Sequence, residues 1–218
     1  MKELGEKIVS YWGNRAEGYS EYNREELAGD KWQDWSTEIK KQLPKKEKSE
    51  IRILDIGTGT GFFAFLLSSL GHRVTGIDLT PSMIQEAKEI GQTLHSSAQF
   101  RVMDAEKLLF ADESFDMVIS RNLTWTLPHP QEAYREWQRV LKPGGLFLLH
   151  YISALQEHPG DAWIKKYIFP GGVIPSLREI IQIAGDMRFY TIDVESLRRH
   201  YNKTLLEWNK NFQAHRAE

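Results

Sequence analysis

Cysteine is absent from all 218 residues, which excludes disulfides, thiolate metal ligands and thiol catalysis together and leaves the redox compartment open. Long apolar runs are missing as well, and none approaches the ~18 residues that read as a membrane-spanning helix. The stretch MKELGEKIVSYW carries charges throughout and has neither the apolar centre nor the small-residue cleavage site of a signal peptide, so a cytoplasmic location is expected. There is no charge excess either. With 28 Lys and Arg against 30 Asp and Glu the formal net charge is −2, so no global basic field invites nucleic acid or an anionic membrane. Repeats and low-complexity tracts are lacking. What is present is 41% hydrophobic, enough for one globular domain with a real core.

Apolar spacing predicts helix over residues 2–43, with Leu4, Ile8, Tyr11 and Trp12 on one face and a second run from Asp30 carrying Trp32, Trp35 and Ile39. Pro44 to Glu50 is charged and reads as a surface linker. The pattern then changes. Short β-branched runs at Ile51–Ile56, Arg73–Asp78, Gln99–Met103, Phe115–Ser120 and Leu146–Ile152 predict buried strands. Helices are expected between them at Phe62–Leu70, Pro81–Ile90 and Gln131–Leu141, the last ending at a Lys142-Pro143-Gly144-Gly145 turn. Strands alternating with helices predict an α/β fold with a parallel sheet covered on both faces. After Ser153 come an aromatic segment (Trp163, Tyr167, Phe169), a helix Pro175–Ala184, a strand near Arg188–Val194 and a long helix from Glu195 to about Phe212.

The sharpest feature is Leu54-Asp55-Ile56-Gly57-Thr58-Gly59-Thr60-Gly61, set between a predicted strand and a predicted helix. Glycines there permit a tight turn and let a ligand lie against bare main chain. A dinucleotide loop reads G-x-G-x-x-G and faces a pyrophosphate with a helix N-terminus. Here the spacing is G-x-G-x-G after an aspartate, and an anionic Asp55 suits a cofactor with a cationic amino group and no phosphate. S-adenosylmethionine has that character and NAD does not. Asp78 ends the next strand, 21 positions after Gly57, where a carboxylate accepts hydrogen bonds from both ribose hydroxyls; its other reading is a cap for the helix at Pro81. Asp104, after the third strand, is placed to accept from an adenine amino group or to be a solvated loop residue. Leu79 and Met83 either flank the adenine or pack in the core.

The segments ILDIGTGTGFFAFLLSSLGHRVTGIDLTPSMIQEAK, VMDAEKLLFADESFDMVISRNLTWTL and EWQRVLKPGGLFLLHY resemble the class I, Rossmann-like S-adenosylmethionine-dependent methyltransferases of the small-molecule type 11 group, over about residues 10–150. The resemblance implies cofactor contacts from Asp55, Gly57, Thr58, Gly59, Gly61, Asp78, Leu79, Asp104 and Ala105. It sets Ser120, Arg121 and Asn122 beside the methionine moiety and substrate, and it makes Tyr19 a residue that closes over the cofactor. It implies one methyltransferase domain, with an N-terminal helical lid over 1–50, a cofactor-binding core over 51–152, and a cap with outer strand and helix over 153–218. The product would be S-adenosylhomocysteine and the partner a small-molecule methyl acceptor.

Residues 146–216 resemble a different branch, the cyclopropane-fatty-acid synthases and their methyltransferase relatives, through LLHYI, WIKKYIFPGG and DVESLRRHYNKTLLEW. That family adds a methylene carbon to a lipid alkene with bicarbonate held as base. His150 and Tyr201 match two of its bicarbonate-holding residues, the candidates for catalysis here. Its glutamate falls where Trp125 stands, and its cysteine has no counterpart. The other readings are a buried hydrogen-bonded histidine and a helix-packing tyrosine. Both families usually continue to a final antiparallel edge strand, which this sequence lacks. Two likenesses joined near residue 146 therefore raise a recombined, engineered or truncated chain, with an open sheet edge that favours a homodimer. The rival functions are lipid methylene transfer, a catalytically inactive cofactor-binding chimera, and an NAD-dependent dehydrogenase, the last disfavoured by the glycine spacing. No metal site is expected.

Overall fold

The computed structural model describes residues 2–43, 50–157, 160, 162–167 and 172–216; the predicted linker at 44–49 and Phe169 lie outside them. The predicted N-terminal helical run is three helices, α1 (Lys2–Gly13), α2 (Ala16–Ala28) and α3 (Lys31–Gln42), broken at Asn14-Arg15 and Gly29-Asp30. Then follow β1 (Arg52–Ile56), α4 (Phe62–Ser69), β2 (Arg73–Asp78), α5 (Pro81–Thr93), β3 (Gln99–Val102), β4 (Phe115–Arg121), α6 (Pro130–Val140) and β5 (Leu141–His150). The chain goes on through α7 (Ala162–Tyr167), α8 (Leu177–Asp186) and α9 (Arg198–Ala214). No helix among the described residues is long and apolar enough to cross a membrane.

All five strands are parallel, in the order β3-β2-β1-β4-β5. The strand pleat sends alternate residues to opposite faces, and both faces are apolar. Ile53, Met117 and Ile119 pack with the phenylalanines of α4 and with Ile84 and Ile90 of α5. Leu54, Ile56 and Val118 face the other way, against α6 and α8. On α6 the buried residues Ala133, Tyr134, Trp137 and Val140 recur at helical spacing, and Trp137 stacks on Tyr134 with centroids 4.8 Å apart. Each fully buried Ile or Leu contributes roughly 1.5–3 kcal/mol relative to exposure. These strands therefore anchor the fold, and their C-terminal ends are held still.

Two expectations at the sheet edge are corrected. Lys142–Gly145 is not a turn ahead of a strand but a bulge inside β5: Leu141 pairs with Phe115 and Leu146 with Met117, so four residues oppose Asp116 alone. Gly144 at φ +71° supplies the left-handed step, and Lys142 ties back to Asp116 at 3.1 Å. The outer strand predicted at Arg188–Val194 is not formed. Arg188 leaves α8 at φ +63°, Phe189 drops onto Phe147 of the sheet face at 5.0 Å, and residues 189–196 run irregularly. Strand propensity needs a ladder partner, and none is offered there. Among the described residues β5 is therefore the edge of the sheet, and α9 begins at Arg198 rather than Glu195.

Candidate active site

The order of the strands reverses between β1 and β4, whose neighbours lie to opposite sides. In an open parallel sheet this switch leaves a crevice at the carboxyl ends of the strands. Four loops meet there: the glycine loop after β1, Asp78 and Leu79 after β2, Asp104 and Ala105 after β3, and Arg121 and Asn122 after β4. Helices α1 and α2 lie against α5, and α2 also reaches α3 and α4, so the N-terminal helices flank the same crevice.

The glycine loop is a left-handed coil that only glycine enters without strain: Gly57, Gly59 and Gly61 have φ of +71°, +55° and +95°. Asp55 sits beneath it, 2% exposed, accepting the Thr58 hydroxyl at 2.6 Å and the Ala64 amide. Burial pushes its carboxyl up to about 7. Asp78 is half-buried at the end of β2, and its two oxygens accept the amides of Gly59 at 3.0 Å and Thr80 at 2.9 Å. Loss of water raises its carboxyl too. A β-carbon on Gly76 would lie 2.7 Å from the Thr58 hydroxyl, so glycine in β2 is what lets this loop close on the sheet. The outcome is two carboxylates beside exposed main chain. Among the described residues neither forms an ion pair. Each oxygen of Asp78 uses one acceptor position, and an ionised carboxylate has about four. The arrangement suits a ligand with a cationic amine and a diol, and it repels a pyrophosphate.

The adenine-side candidates are also brought together. Leu79 is half-buried and Met83 is 3% exposed, at the start of α5. Asp104 is exposed and turns its loop by accepting the Glu106 amide at 2.9 Å, while the Ala105 carbonyl accepts from the Trp137 indole at 2.9 Å. Glu106 in turn accepts the His129 amide and meets its ring nitrogen at 2.9 Å, joining this loop to the start of α6. Tyr19, 45% exposed on α2, leans edge-on against Trp12 at 5.6 Å beside the glycine loop. Two candidates stand behind the crevice. Ser120 is fully buried and gives its hydroxyl to the Ile56 carbonyl, tying β4 to β1. Gly61 starts α4, where Phe65 and Phe100 leave no room for a side chain.

The other end of the crevice has a different chemistry. Asn122 turns the chain at φ +59° and its amide reaches the His150 carbonyl at 2.9 Å. Arg121 lays its guanidinium over the rings of Trp35, Phe62 and Phe63 at 5.0, 5.6 and 5.5 Å. His150 ends β5 edge-on to Trp35 at 5.4 Å, and its Nδ1 is buried with no hydrogen-bond partner. Burial first, and then the charge of Arg121, lowers its ring to about 4, so it is neutral near pH 7. Tyr201 is 40% exposed on α9 and rests on Trp208 of that helix at 6.2 Å, with no hydrogen bond to His150.

Sequence reasoning missed the polar inward face of α2. Its buried residues, Ala16, Ser20, Asn23 and Glu26, repeat at helical spacing, so the inward face is polar. Asn23 donates to the carbonyl and hydroxyl of Thr60 in the glycine loop at 2.8 and 3.0 Å. Glu26, 6% exposed, accepts from Tyr22 at 2.9 Å and lies 3.3 Å from the Lys31 ammonium. A helix whose apolar stripe is replaced by Ser, Asn and Glu is a legible sign of a site, because buried polar groups need partners.

With that geometry in place, comparison with known proteins gives it a class. Residues 54–149 match the family model described as a methyltransferase domain. The chain belongs to the S-adenosylmethionine-dependent methyltransferases of Rossmann-like fold. More particularly, it is 32% identical over 171 residues to a cyclopropane-fatty-acyl-phospholipid synthase of Escherichia coli K12, covering 77% of this chain and 43% of that one. It is 36% identical over 161 residues to the ubiquinone/menaquinone biosynthesis C-methyltransferase UbiE of Nitrobacter hamburgensis, covering 72% and 62%. The solved phosphoethanolamine N-methyltransferase 2 of Haemonchus contortus, in complex with S-adenosyl-L-methionine, matches 84% of this chain and 43% of that one at 25% identity and a TM-score of 0.71. The chain thus spans about half the length of the curated relatives it matches. A match over 77% of the chain cannot avoid residue 146, so one relative covers the supposed join and the chimera gains no support.

Proposed function

We propose that this protein transfers a methyl group from S-adenosylmethionine to a small-molecule acceptor. The observation that carries the reading is a pair of carboxylates, buried Asp55 and half-buried Asp78, set against a glycine loop with positive φ at Gly57, Gly59 and Gly61, and among the described residues no cation is paired to either. Asp78 receives the ribose hydroxyls, Asp55 balances the amino group across the loop, and Leu79, Met83, Asp104 and Ala105 border the adenine. Gly57, Thr58 and Gly59 lend main chain, and Tyr19 on the N-terminal lid covers the opening. When bound, the cofactor supplies a methyl carbon on a sulfonium whose departure leaves a neutral thioether, S-adenosylhomocysteine.

The chain's own work is alignment and exclusion of water. His150, neutral and lining the crevice, offers its ring to an acceptor that carries a proton and so orients the nucleophile. So low a basicity makes it a positioning group rather than a strong base. The similarity to a cyclopropane-fatty-acyl-phospholipid synthase favours a second reading, methylene transfer to lipid, with His150 and Tyr201 as the base-holding pair. Conversion of unsaturated phospholipid vesicles dependent on bicarbonate would establish it. We also infer a cytoplasmic homodimer: the open β5 edge and the exposed apolar residues of α9 support self-association, and a monomer in sedimentation overturns it.

Calorimetric titration tests the main reading. S-adenosylmethionine and S-adenosylhomocysteine bind, NAD does not, and Asp78→Ala weakens both by about tenfold or more, the worth of one charge-assisted hydrogen bond. A folded protein that binds neither rejects it.

A further inference from the structure

We propose that Arg121 anchors an anionic group on the methyl acceptor, so that the acceptor is a largely apolar molecule carrying a carboxylate or a comparable oxyanion. The inference rests on the methyltransferase reading above and names the class of its acceptor.

Four observations carry it. Arg121 has five donors, yet among the described residues its guanidinium makes no hydrogen bond; its Nε is buried without a partner, and its nearest carboxylate, Glu26, is 3.8 Å from Nη1. A buried donor left unmatched is costly, and the partly exposed side of the guanidinium leaves its other N–H groups open to a ligand oxygen. The charges around it do not cancel. Glu26, its one ion-pair partner among the described residues, is shared with Lys31, which is closer at 3.3 Å, and Asp55, which also feels its charge, is held near 7 and so only partly ionised at neutral pH, which leaves the guanidinium incompletely balanced. The walls are apolar. Trp35, Phe62 and Phe63 surround the cation, and Arg121 is still 25% exposed to the crevice. An anion drawn there is partly desolvated, where a planar guanidinium recognises it best. The position is also right. Arg121 ends β4 between the glycine loop and His150, close enough that its charge acts on Asp55, Tyr19 and His150. A nucleophile on the body of such an acceptor faces the cofactor side.

The test compares 2-naphthoate with its neutral isostere 2-naphthamide, titrated into the full chain with and without saturating S-adenosylhomocysteine. The expected result is naphthoate binding about tenfold tighter than naphthamide, a preference erased in Arg121→Met and widened in Glu26→Gln, where the competing carboxylate is gone. No naphthoate binding, equal binding of the two probes, or a preference that survives Arg121→Met overturns the proposal. Should Arg121→Met fail to fold by circular dichroism, Glu26→Gln decides, and an unchanged preference there overturns it as well. The S-adenosylhomocysteine titration separates the two readings. Its failure removes the methyltransferase function while the naphthoate preference is still read directly.

Discussion

The sheet and the C-terminal tail spend the same kind of residue in opposite ways. In β1 and β4 nearly every side chain is buried, whereas each side chain described from Tyr190 to Arg216 is exposed. Yet α9 is patterned for burial, since Tyr201, Leu205, Trp208 and Phe212 recur at steps of four, three and four along one face. The difference lies in who supplies the partner. β1 and β4 meet strand neighbours on both sides and helices on both faces, so their apolar residues are covered by construction. An amphipathic helix at the margin is covered only if something else comes to it. Amphipathic pattern states a demand, and the rest of the molecule decides whether it is met.

The contrast can be broken by mutation. Trp137→Ala in α6 removes a fully buried ring that also holds the Ala105 carbonyl, and it should cost about 4 kcal/mol in chemical denaturation. A cost under about 1 kcal/mol would show that this side of the sheet is not the core it looks to be.

Partial burial at the end of β5 also makes His150 sensitive to acid. Its folded value of about 4 lies below the ordinary 6.5, so the unfolded chain binds the proton more readily. The stability it contributes is complete above pH 6.5 and lost as pH falls towards 4. Between pH 7 and pH 5 the protein should lose about 2 kcal/mol more than His150→Gln does, measured by urea unfolding at each pH. Equal losses would place the ring in water.

Asp55 shifts the other way. Held near 7 in the free protein, it is largely protonated at pH 6, and a cationic amine binds better once the proton has left. Affinity for S-adenosylmethionine should therefore rise by about eightfold from pH 6 to pH 7.5, and Asp55→Asn should flatten the profile. A flat profile in the unaltered protein would remove Asp55 from the amine's surroundings. The smallest effect belongs to the tail. Trp208→Ala, at 58% exposure, should change monomer stability by less than about 0.5 kcal/mol, and a core-sized loss would mean that α9 is covered after all.

How much was legible follows the range of the interactions. The glycine loop, Asp78 and Asp104 could be placed from sequence because each lies at the end of a short β-branched run, and the run and its punctuation are local. The bulge in β5 was half legible: Lys142-Pro143-Gly144-Gly145 reads as a turn in isolation, and only the ladder to β4 shows strand on both sides of it. Ser120 was placed in the site by the family resemblance, yet its hydroxyl is consumed by the neighbouring strand. The polar inward face of α2 was present in the sequence and went unread, since Ser20, Asn23 and Glu26 look like an exposed face until the glycine loop is packed against them.

By itself, then, the sequence determined the class of fold, the cofactor edge and the order of its loops, since glycine conformation, strand periodicity and helix caps act over a few residues. The tertiary structure alone decided three things. Arg121 came to rest on an aromatic wall, burial lowered the basicity of His150, and Arg188–Val194 stayed out of the sheet. Each of these depends on a partner distant in the chain, whether a ring, a charge or a strand edge, and nothing local encodes whether that partner arrives.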